Sequence, residues 1–327
     1  MKNLKKVLAV VLVAVLAVSF AACGGKGGAT VKTGLAVTGT IEDVKETTLT
    51  IDVVAAAVTV DAAGKIVDVK IDEAQTQPDL AKADADYGVD LRTKYEKQGD
   101  YGMKDTSAAI PGGIGKEWFE QADHFMSWAK GKTAEDIRAA VNTEGKTDNA
   151  DLKAGCTITI ETIAETVAKA VDNAADLGAK ADDKLALSVK TEKYYESNET
   201  NLQYDTNVAA VTTDANGKIT SCLIDAAQGK CAMADGKFTV EAGKFLSKKD
   251  LKENYAMKDT SAASPGGIGK EWFEQAKAYE DWAKGKTSAD IKAAVNAEGK
   301  TDDADLKAGC TITINSIADT VAAAAQA

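Results

Sequence analysis

Two stretches of this 327-residue chain, separated by an offset of 154 positions, are almost the same sequence. Residues 103–121 and 257–275 differ only where Ile110 stands against Ser264, and residues 151–157 recur unchanged as 305–311. Because a period this long far exceeds the repeat of a solenoid, each copy predicts a whole domain. The chain is also long enough to bury two separate cores.

Each repeat begins with strand-like sequence. In the first repeat, 47–54 and 57–60 are rich in β-branched residues, and 65–72 alternates apolar and polar residues after a glycine turn. The second repeat offers the same hairpin, 207–212 and 218–225, joined through Asn216-Gly217.

Each repeat ends with helix-like sequence. Residues 116–130 place Trp118 and Phe125 at helical spacing, Thr133 and Asp136 predict a capping box, and 160–171 predicts a last helix with Thr159 as its N-cap. We therefore predict an α+β fold: two tandem repeats, each an antiparallel sheet packed against helices. The predicted domains are 31–175 and 176–327, with the junction in the Ala- and Asp-rich stretch 172–184.

Residues 1–22 predict an export signal, because three lysines precede an apolar run, 7–20, that is too short for a stable transmembrane helix. The run ends in Phe20-Ala-Ala-Cys23, which resembles the lipobox of bacterial lipoproteins. That resemblance implies that Cys23 carries a diacylglyceryl group and that 23–30 is a glycine-rich tether. The protein would be lipid-anchored on the extracytoplasmic face of the cell membrane. Ordinary secretion, with cleavage at an Ala-x-Ala-like site, is the alternative.

The net charge of −11 argues against two kinds of partner. Removal of Lys2, Lys5 and Lys6 with the signal would make it −14, which argues against nucleic acid and against electrostatic attachment to an anionic membrane.

The single histidine, His124, stands opposite Ala278 in the second repeat. We therefore interpret His124 as a surface or capping residue. A single histidine also argues against a zinc hydrolase and against a His-assisted hydrolase. We predict no metal site.

The strictly repeated segment is Asp151-Leu-Lys-Ala-Gly-Cys-Thr157, which leads into the last helix of its repeat. Glycine lets a phosphate approach the backbone, and the amides of a helix N-terminus favour an anion. A threonine at this point displays a hydroxyl where a phosphodiester would be stabilised.

This segment resembles the Asp-x-x-Ser-Gly-Ala-Thr signature of FMN-binding domains, and the resemblance covers both repeats. It implies that a flavin transferase uses FAD to attach FMN to Thr157 and Thr311 as a phosphoester. The remaining recognition positions would be Asp151, Asp305, Gly155 and Gly309. Two positions depart from the signature: Ala154 and Ala308 replace a hydroxyl residue, and Cys156 and Cys310 replace alanine.

The resemblance further implies a membrane-anchored electron carrier that is not itself an enzyme. Its partners would be the flavin transferase, a membrane reductase as electron donor, and a soluble or surface electron acceptor. The competing interpretation is a noncatalytic envelope lipoprotein that binds a small ligand or a surface partner and has vestigial flavin sites.

Several other residues have two possible interpretations each. Trp118 and Trp272 fit core packing better than flavin stacking, and Cys156 and Cys310 fit burial better than a redox role. Cys222 and Cys231 form either a disulfide across a turn or free thiols. The glycine-rich stretches 112–115 and 266–269 lack the context of a nucleotide site.

Overall fold

A computed structural model describes residues 28–82 and 86–327. The predicted signal segment, Cys23 and the start of the tether lie outside the described residues. The fold is mixed α+β, with two antiparallel sheets packed against helices. In the part of the chain that the structure describes, none of the helices combines the length and the apolarity that a membrane crossing requires.

Two four-stranded sheets form the centre of the molecule, with strand orders β3-β2-β1-β8 and β4-β5-β6-β7. The strands are β1 Lys32–Glu42, β2 Thr50–Val60, β3 Ile66–Thr76, β4 Lys184–Lys193, β5 Asn201–Thr213, β6 Ile219–Ala234, β7 Lys237–Phe238 and β8 Gly243–Phe245.

Similar series of helices follow the two sheets along the chain. After β3 come α1 Lys94–Lys97, α2 Met103–Ala109, α3 Trp118–Ala129, α4 Ala134–Ala139, α5 Ala150–Lys153 and α6 Glu161–Asp172. After β8 come α7 Lys248–Leu251, α8 Lys258–Ala263, α9 Trp272–Ala283, α10 Ser288–Ala293, α11 Ala304–Lys307 and α12 Asn315–Gln326.

The two sheets pack face to face, and each is covered by helices on its outer side. One apolar cluster joins the inner faces of both sheets, with Val37 and Ile51 from the first and Leu202 and Tyr204 from the second. Two further clusters lie between each sheet and its own helices. A fully buried large apolar side chain contributes about 1.5–3 kcal/mol, so the contact between the sheets is a core and not a loose association.

The halves of the chain are also interlocked by hydrogen bonds. The short strand β8, from the predicted second domain, pairs antiparallel with β1 and sets Phe245 opposite Gly39. The hydroxyls of Thr33 and Ser221 are hydrogen-bonded at 2.8 Å inside the protein. Strand β8 therefore completes the sheet of the other half.

Strand β2 is one continuous strand, although the sequence shows two separate β-rich runs. The reason is that β2 is covered on both of its faces. All eleven residues of β2 are buried. Its alternate residues enter different cores: Val54 and Val58 face helices, whereas Val53 and Ala55 face the other sheet. Strand β3 lies at an edge and alternates, as predicted for a half-covered strand.

Two local predictions can be compared directly with the structure. The capping box is confirmed, because Thr133 and Asp136 bond each other's backbone at the start of α4. The prediction that Thr159 caps the last helix is wrong, since the N-cap of α6 is Ile160, which makes no side-chain capping bond. Thr159 is exposed one position earlier.

Cys222 and Cys231 are free and buried, so the interpretation that they form a disulfide is wrong. Both lie on β6, where nine residues of extended chain separate them by roughly 30 Å. Their side chains also enter different cores. Gly229, which lies between them, is inside the same strand, so no turn brings the two cysteines together.

Candidate functional site

The segment 151–157 forms a one-turn helix, α5, and the loop that leaves it. Asn149 caps α5 by accepting the backbone N–H of Leu152 at 3.1 Å, and the buried Leu152 side chain anchors the turn. The N–H of Cys156 then donates to the carbonyl of Leu152 at 2.9 Å. This tight closure delivers Thr157 to the surface side of the helical layer.

The second copy has the same local structure. Asp303 takes the capping role, with its carboxylate accepting the N–H of Leu306 at 3.0 Å, and Cys310 donates to the carbonyl of Leu306 at 2.8 Å. The two threonines are partly buried, whereas Asp151 and Asp305 are exposed on their one-turn helices.

Each threonine is fixed by a glutamine that sequence reasoning missed. The fully buried Gln121 of α3 accepts the backbone N–H of Thr157 at 2.8 Å and its hydroxyl at 3.3 Å. The amide nitrogen of Gln121 donates to the carbonyl of Lys116 at 3.1 Å, which fixes the amide orientation. A glutamine inside an apolar helix face, 36 residues before each threonine, was the available signal.

Gln275 makes the same contacts in the second half. It accepts the N–H of Thr311 at 2.8 Å and its hydroxyl at 3.3 Å, and it donates to the carbonyl of Lys270 at 3.1 Å. Because a buried amide left without partners is costly, each glutamine and its loop stabilise each other. The two threonine hydroxyls therefore have the same hydrogen-bonded setting.

The two cysteines of the segment are structural. Cys156 and Cys310 have no exposed surface and belong to the clusters between sheet and helices. Burial raises the pKa of each thiol to about 11. A neutral, inaccessible thiol is a poor nucleophile and a poor redox group, so the packing interpretation is the better one.

The two glycines are required by close packing. A Cβ at Gly155 would lie 2.3 Å from ring atoms of His124, and one at Gly309 would lie 2.6 Å from the Cβ of Ala278. Both contacts are shorter than real Cβ atoms tolerate. The helix α3 or α9 thus approaches the loop closely, which is a stronger reason for glycine than access for a phosphate alone.

His124 has a role that the sequence did not indicate. Its Nε2 donates to the backbone carbonyl of Asp151 at 2.9 Å, so it braces α5 from α3. It is partly buried, and so it is more than the surface or capping residue predicted. Ala278 occupies its place in the second half, which makes the two loops different in this one contact.

Thr157 lies on the wall of a polar cleft of about 390 Å³. The Pro-Gly loop that starts at Pro111 forms one side. Lys146 and Lys153 contribute two positive charges, and Glu144 and Asp148 contribute two negative ones. The complete lining is Pro111, Gly112, Asn142, Thr143, Glu144, Lys146, Thr147, Asp148, Lys153 and Thr157. The ammonium groups, the hydroxyls and the loop glycine are donors that suit a phosphate, whereas the two carboxylates repel one.

The aromatic residues of the helices serve the core. Trp118 and Trp272 are only 3% and 4% exposed, and each lies in the cluster between its sheet and its helices. The packing interpretation of these residues is therefore the better one for both. Within residues 28–82 and 86–327, no group of three or more His, Cys, Asp or Glu side chains is arranged to hold a metal ion.

Comparison with family models, with curated proteins and with solved structures gave no match for this chain. The resemblance to FMN-binding domains therefore rests on the residues of the repeated segment.

Proposed function

We propose that this protein is a membrane-anchored, extracytoplasmic electron carrier with FMN joined by a phosphoester to Thr157 and Thr311. It would consist of a lipoprotein signal, a lipidated Cys23, a tether and a tandem pair of FMN-binding domains. The observation that carries the proposal is the shared geometry of the two loops, in which Gln121 and Gln275 fix the two threonines with the same distances.

The residues beside Thr157 fit an attached phosphate. The Thr157 hydroxyl is on the wall of the cleft, and Lys146 and Lys153 line the same cleft. Phosphate oxygens would there face two ammonium groups, and Glu144 and Asp148 of the same lining would have to point away from them. Lys300 and Lys307 stand at the matching sequence positions of the second half.

The attachment is a group transfer with FAD as the donor. The threonine oxygen forms a bond to the FMN phosphorus, the bond from that phosphorus to the AMP moiety breaks, and AMP leaves. The threonine hydroxyl gives up its proton. A flavin transferase supplies the catalysis, and this chain supplies a hydroxyl whose position is set by Gln121 or Gln275.

When bound, FMN would accept and donate electrons, and the protein would only position it. The neutral buried thiols of Cys156 and Cys310 would take no part. A membrane reductase would be the electron donor, and a soluble or surface protein the acceptor. The chain would have no substrate turnover of its own.

One observation favours the second candidate, a noncatalytic envelope lipoprotein with vestigial flavin sites. Both threonine hydroxyls are partly buried and already donate a hydrogen bond to a glutamine. A transferase would have to draw each hydroxyl away from that partner. The 3.3 Å distance makes this bond long, so its loss costs little.

The deciding experiment is the intact mass of the purified protein after coexpression with a flavin transferase. The carrier predicts two added FMN-phosphoryl groups on the wild type and one on either Thr157→Val or Thr311→Val. Valine keeps the shape of threonine and removes the hydroxyl, while Thr157→Ser keeps the hydroxyl and serves as the control. An unmodified wild type, beside a known substrate that the same transferase modifies, would exclude the covalent carrier.

A further inference from the structure

A second cavity, of about 310 Å³, lies between the outer face of the first sheet and the helices α1, α3 and α6. It is separate in its lining from the cleft beside Thr157. One wall is apolar and aromatic, and the floor on the sheet is acidic. The complete lining is Thr40, Glu42, Asp52, Val54, Glu73, Gln75, Lys94, Tyr101, Met103, Trp118, Ile158, Thr159, Thr162 and Ile163.

Three buried charged side chains meet at the floor of this cavity. The ammonium of Lys94 bonds Glu73 at 2.7 Å, with side chains only 9% and 10% exposed. The same ammonium lies 5.1 Å from the ring centre of Tyr101 and 5.8 Å from that of Trp118. The Lys94 ammonium thus contacts one carboxylate directly and lies over two aromatic rings.

Asp52 is the carboxylate of the cluster that does not form an ion pair with Lys94. It is 8% exposed, it lines the cavity, and its Oδ1 has no hydrogen-bond partner. With Glu73 and Asp52 both ionised against one lysine, the cluster carries one uncompensated negative charge. A buried charge without a partner costs several kcal/mol, so a proton or a bound cation must neutralise it.

The proton is only a partial solution at neutral pH. Burial, and then the neighbouring carboxylate Glu73, raises the pKa of Asp52 to about 7, against the opposing effect of Lys94. The pKa thus lies close to neutral pH, so the carboxyl holds its proton only weakly there. A cation in the cavity would take the place of the proton.

We propose that this cavity binds a small organic cation, a primary ammonium with an apolar body, whose ammonium pairs with Asp52. The apolar body would lie against Trp118, Met103 and Ile158 on the opposite wall. The excess negative charge excludes an anion. An inorganic divalent cation is disfavoured because, within the described ranges, no three ligating side chains converge.

The second half of the chain provides an internal comparison. Asp52 is opposite Gln75 in its sheet, and Asp205 is opposite Gln228 in the other. There, however, the carboxylate of Asp205 accepts from Gln203 at 2.6 Å and from Gln228 at 3.2 Å.

The other charged groups of the cluster differ as well. In the first sheet, Glu73 lies two residues before Gln75 on β3. At the matching position of the second sheet, two residues before Gln228 on β6, stands Ala226. Lys248 lies over the rings of Tyr255 and Trp272, at 5.1 and 5.5 Å, as Lys94 does in the first half. The aromatic cradle is thus present twice, whereas a second acidic side chain stands beside the sheet carboxylate at Asp52 and not at Asp205.

Calorimetric titration of the purified protein with phenethylamine at pH 7 tests this proposal. We expect saturable one-to-one binding by the wild type and by Asp205→Asn. Binding should be at least about tenfold weaker in Asp52→Asn, because the amide keeps the shape and removes the charge. Phenethyl alcohol, with the same body and no charge, should bind at least as weakly to the wild type.

Two controls keep the result interpretable. Thermal unfolding of Asp52→Asn shows whether the variant is folded, and removal of a buried charge should leave it at least as stable near pH 7. Thr157→Val should bind the amine like the wild type, so the outcome does not depend on flavin attachment. The proposal is overturned if no saturable binding occurs up to about 10 mM amine, or if Asp52→Asn binds as well as the wild type.

Discussion

The side-chain oxygen of Gln121 accepts both the backbone N–H and the hydroxyl of Thr157, at 2.8 and 3.3 Å, from a position with no exposed surface. The loop that presents the threonine is therefore set by a residue 36 positions earlier in the chain. Gln275 and Thr311 repeat this relationship.

Replacing Gln121 with leucine should loosen one loop and leave the other intact. The change removes the acceptor of two donors, and a buried unsatisfied N–H costs about 1–3 kcal/mol. We expect a loss of that size in the free energy of unfolding, measured in urea. FMN attachment, measured on digested peptides, should fall at Thr157 and persist at Thr311. Gln275→Leu is the matched control and should show the reverse pattern; equal loss at both threonines in either variant would contradict the prediction.

Gly155→Ala should destabilise the protein because its Cβ would overlap the His124 ring, 2.3 Å away. An overlap of this kind typically costs 1–3 kcal/mol. The double variant Gly155→Ala with His124→Ala should recover part of the loss, although the Ala278 contact at Gly309 shows that an alanine is still close. A double-mutant cycle in urea measures the coupling, which we expect to be about 1 kcal/mol or more. Strict additivity would show that the ring is not the obstacle.

Asp52 should make stability depend on pH in an unusual direction. The pKa of its carboxyl is raised from 3.8 to about 7 by burial and by Glu73, while Lys94 acts in the opposite direction. Between these values the folded protein keeps a proton that the unfolded chain has released. The contribution of Asp52 to the free energy of unfolding therefore falls as the pH rises from about 4 to 7.

The test is the difference in unfolding free energy between Asp52→Asn and the wild type. This difference should grow in favour of the variant from about pH 4.5 to pH 7.5, by at most about 4 kcal/mol. The pKa of Asp72 is also raised to about 7, mainly by burial, but Asp72 titrates in both proteins and its effect cancels. A difference that is constant with pH would contradict the raised pKa.

The four cysteines that the structure describes should resist alkylation in the native state. All four are buried and free, and burial raises the pKa of each thiol. We expect iodoacetamide at about pH 8 to modify them only in denaturant, as read from peptide masses. Nonreducing digestion should show no peptide that links Cys222 to Cys231. Rapid labelling of Cys156 in the native protein would contradict its place in the core.

The hairpins β2–β3 and β5–β6 and the longer helices were predictable because their signals are local. Alternating apolar residues, a glycine turn and a capping box act within a few positions of one another. The turn glycines Gly64 and Gly217 have positive φ angles of 75° and 72°, as hairpin turns require.

Strands β1 and β4 were not assigned from the sequence, and tertiary packing explains the first case. Gly34 and Gly39 weaken the strand signal of β1. In the structure a Cβ at Gly34 would lie 1.9 Å from the carbonyl of Ala170, and one at Gly39 would lie 2.4 Å from the ring of Phe245. Those neighbours are 136 and 206 positions away, so no local pattern announces them.

The candidate site shows the same division. The threonine, the aspartate and the glycine of each loop are predicted as site residues because the segment is repeated and resembles a known signature. The contacts of Gln121 and His124 with the loop could not be predicted, since they arise only when α3 packs on it. The Asp52 cavity was not predicted because it brings together residues from three strands and four helices that are far apart in the sequence.

The face-to-face packing of the sheets has a mechanical consequence. Each threonine belongs to the helical layer on the outer side of its own sheet, and one apolar cluster fills the space between the sheets. The two layers also meet directly, because the ammonium of Lys169 in α6 bonds the carboxylate of Asp250 in α7. Neither half can therefore swing away from the other without exposing the shared core, so the two threonine loops keep a fixed spacing and direction.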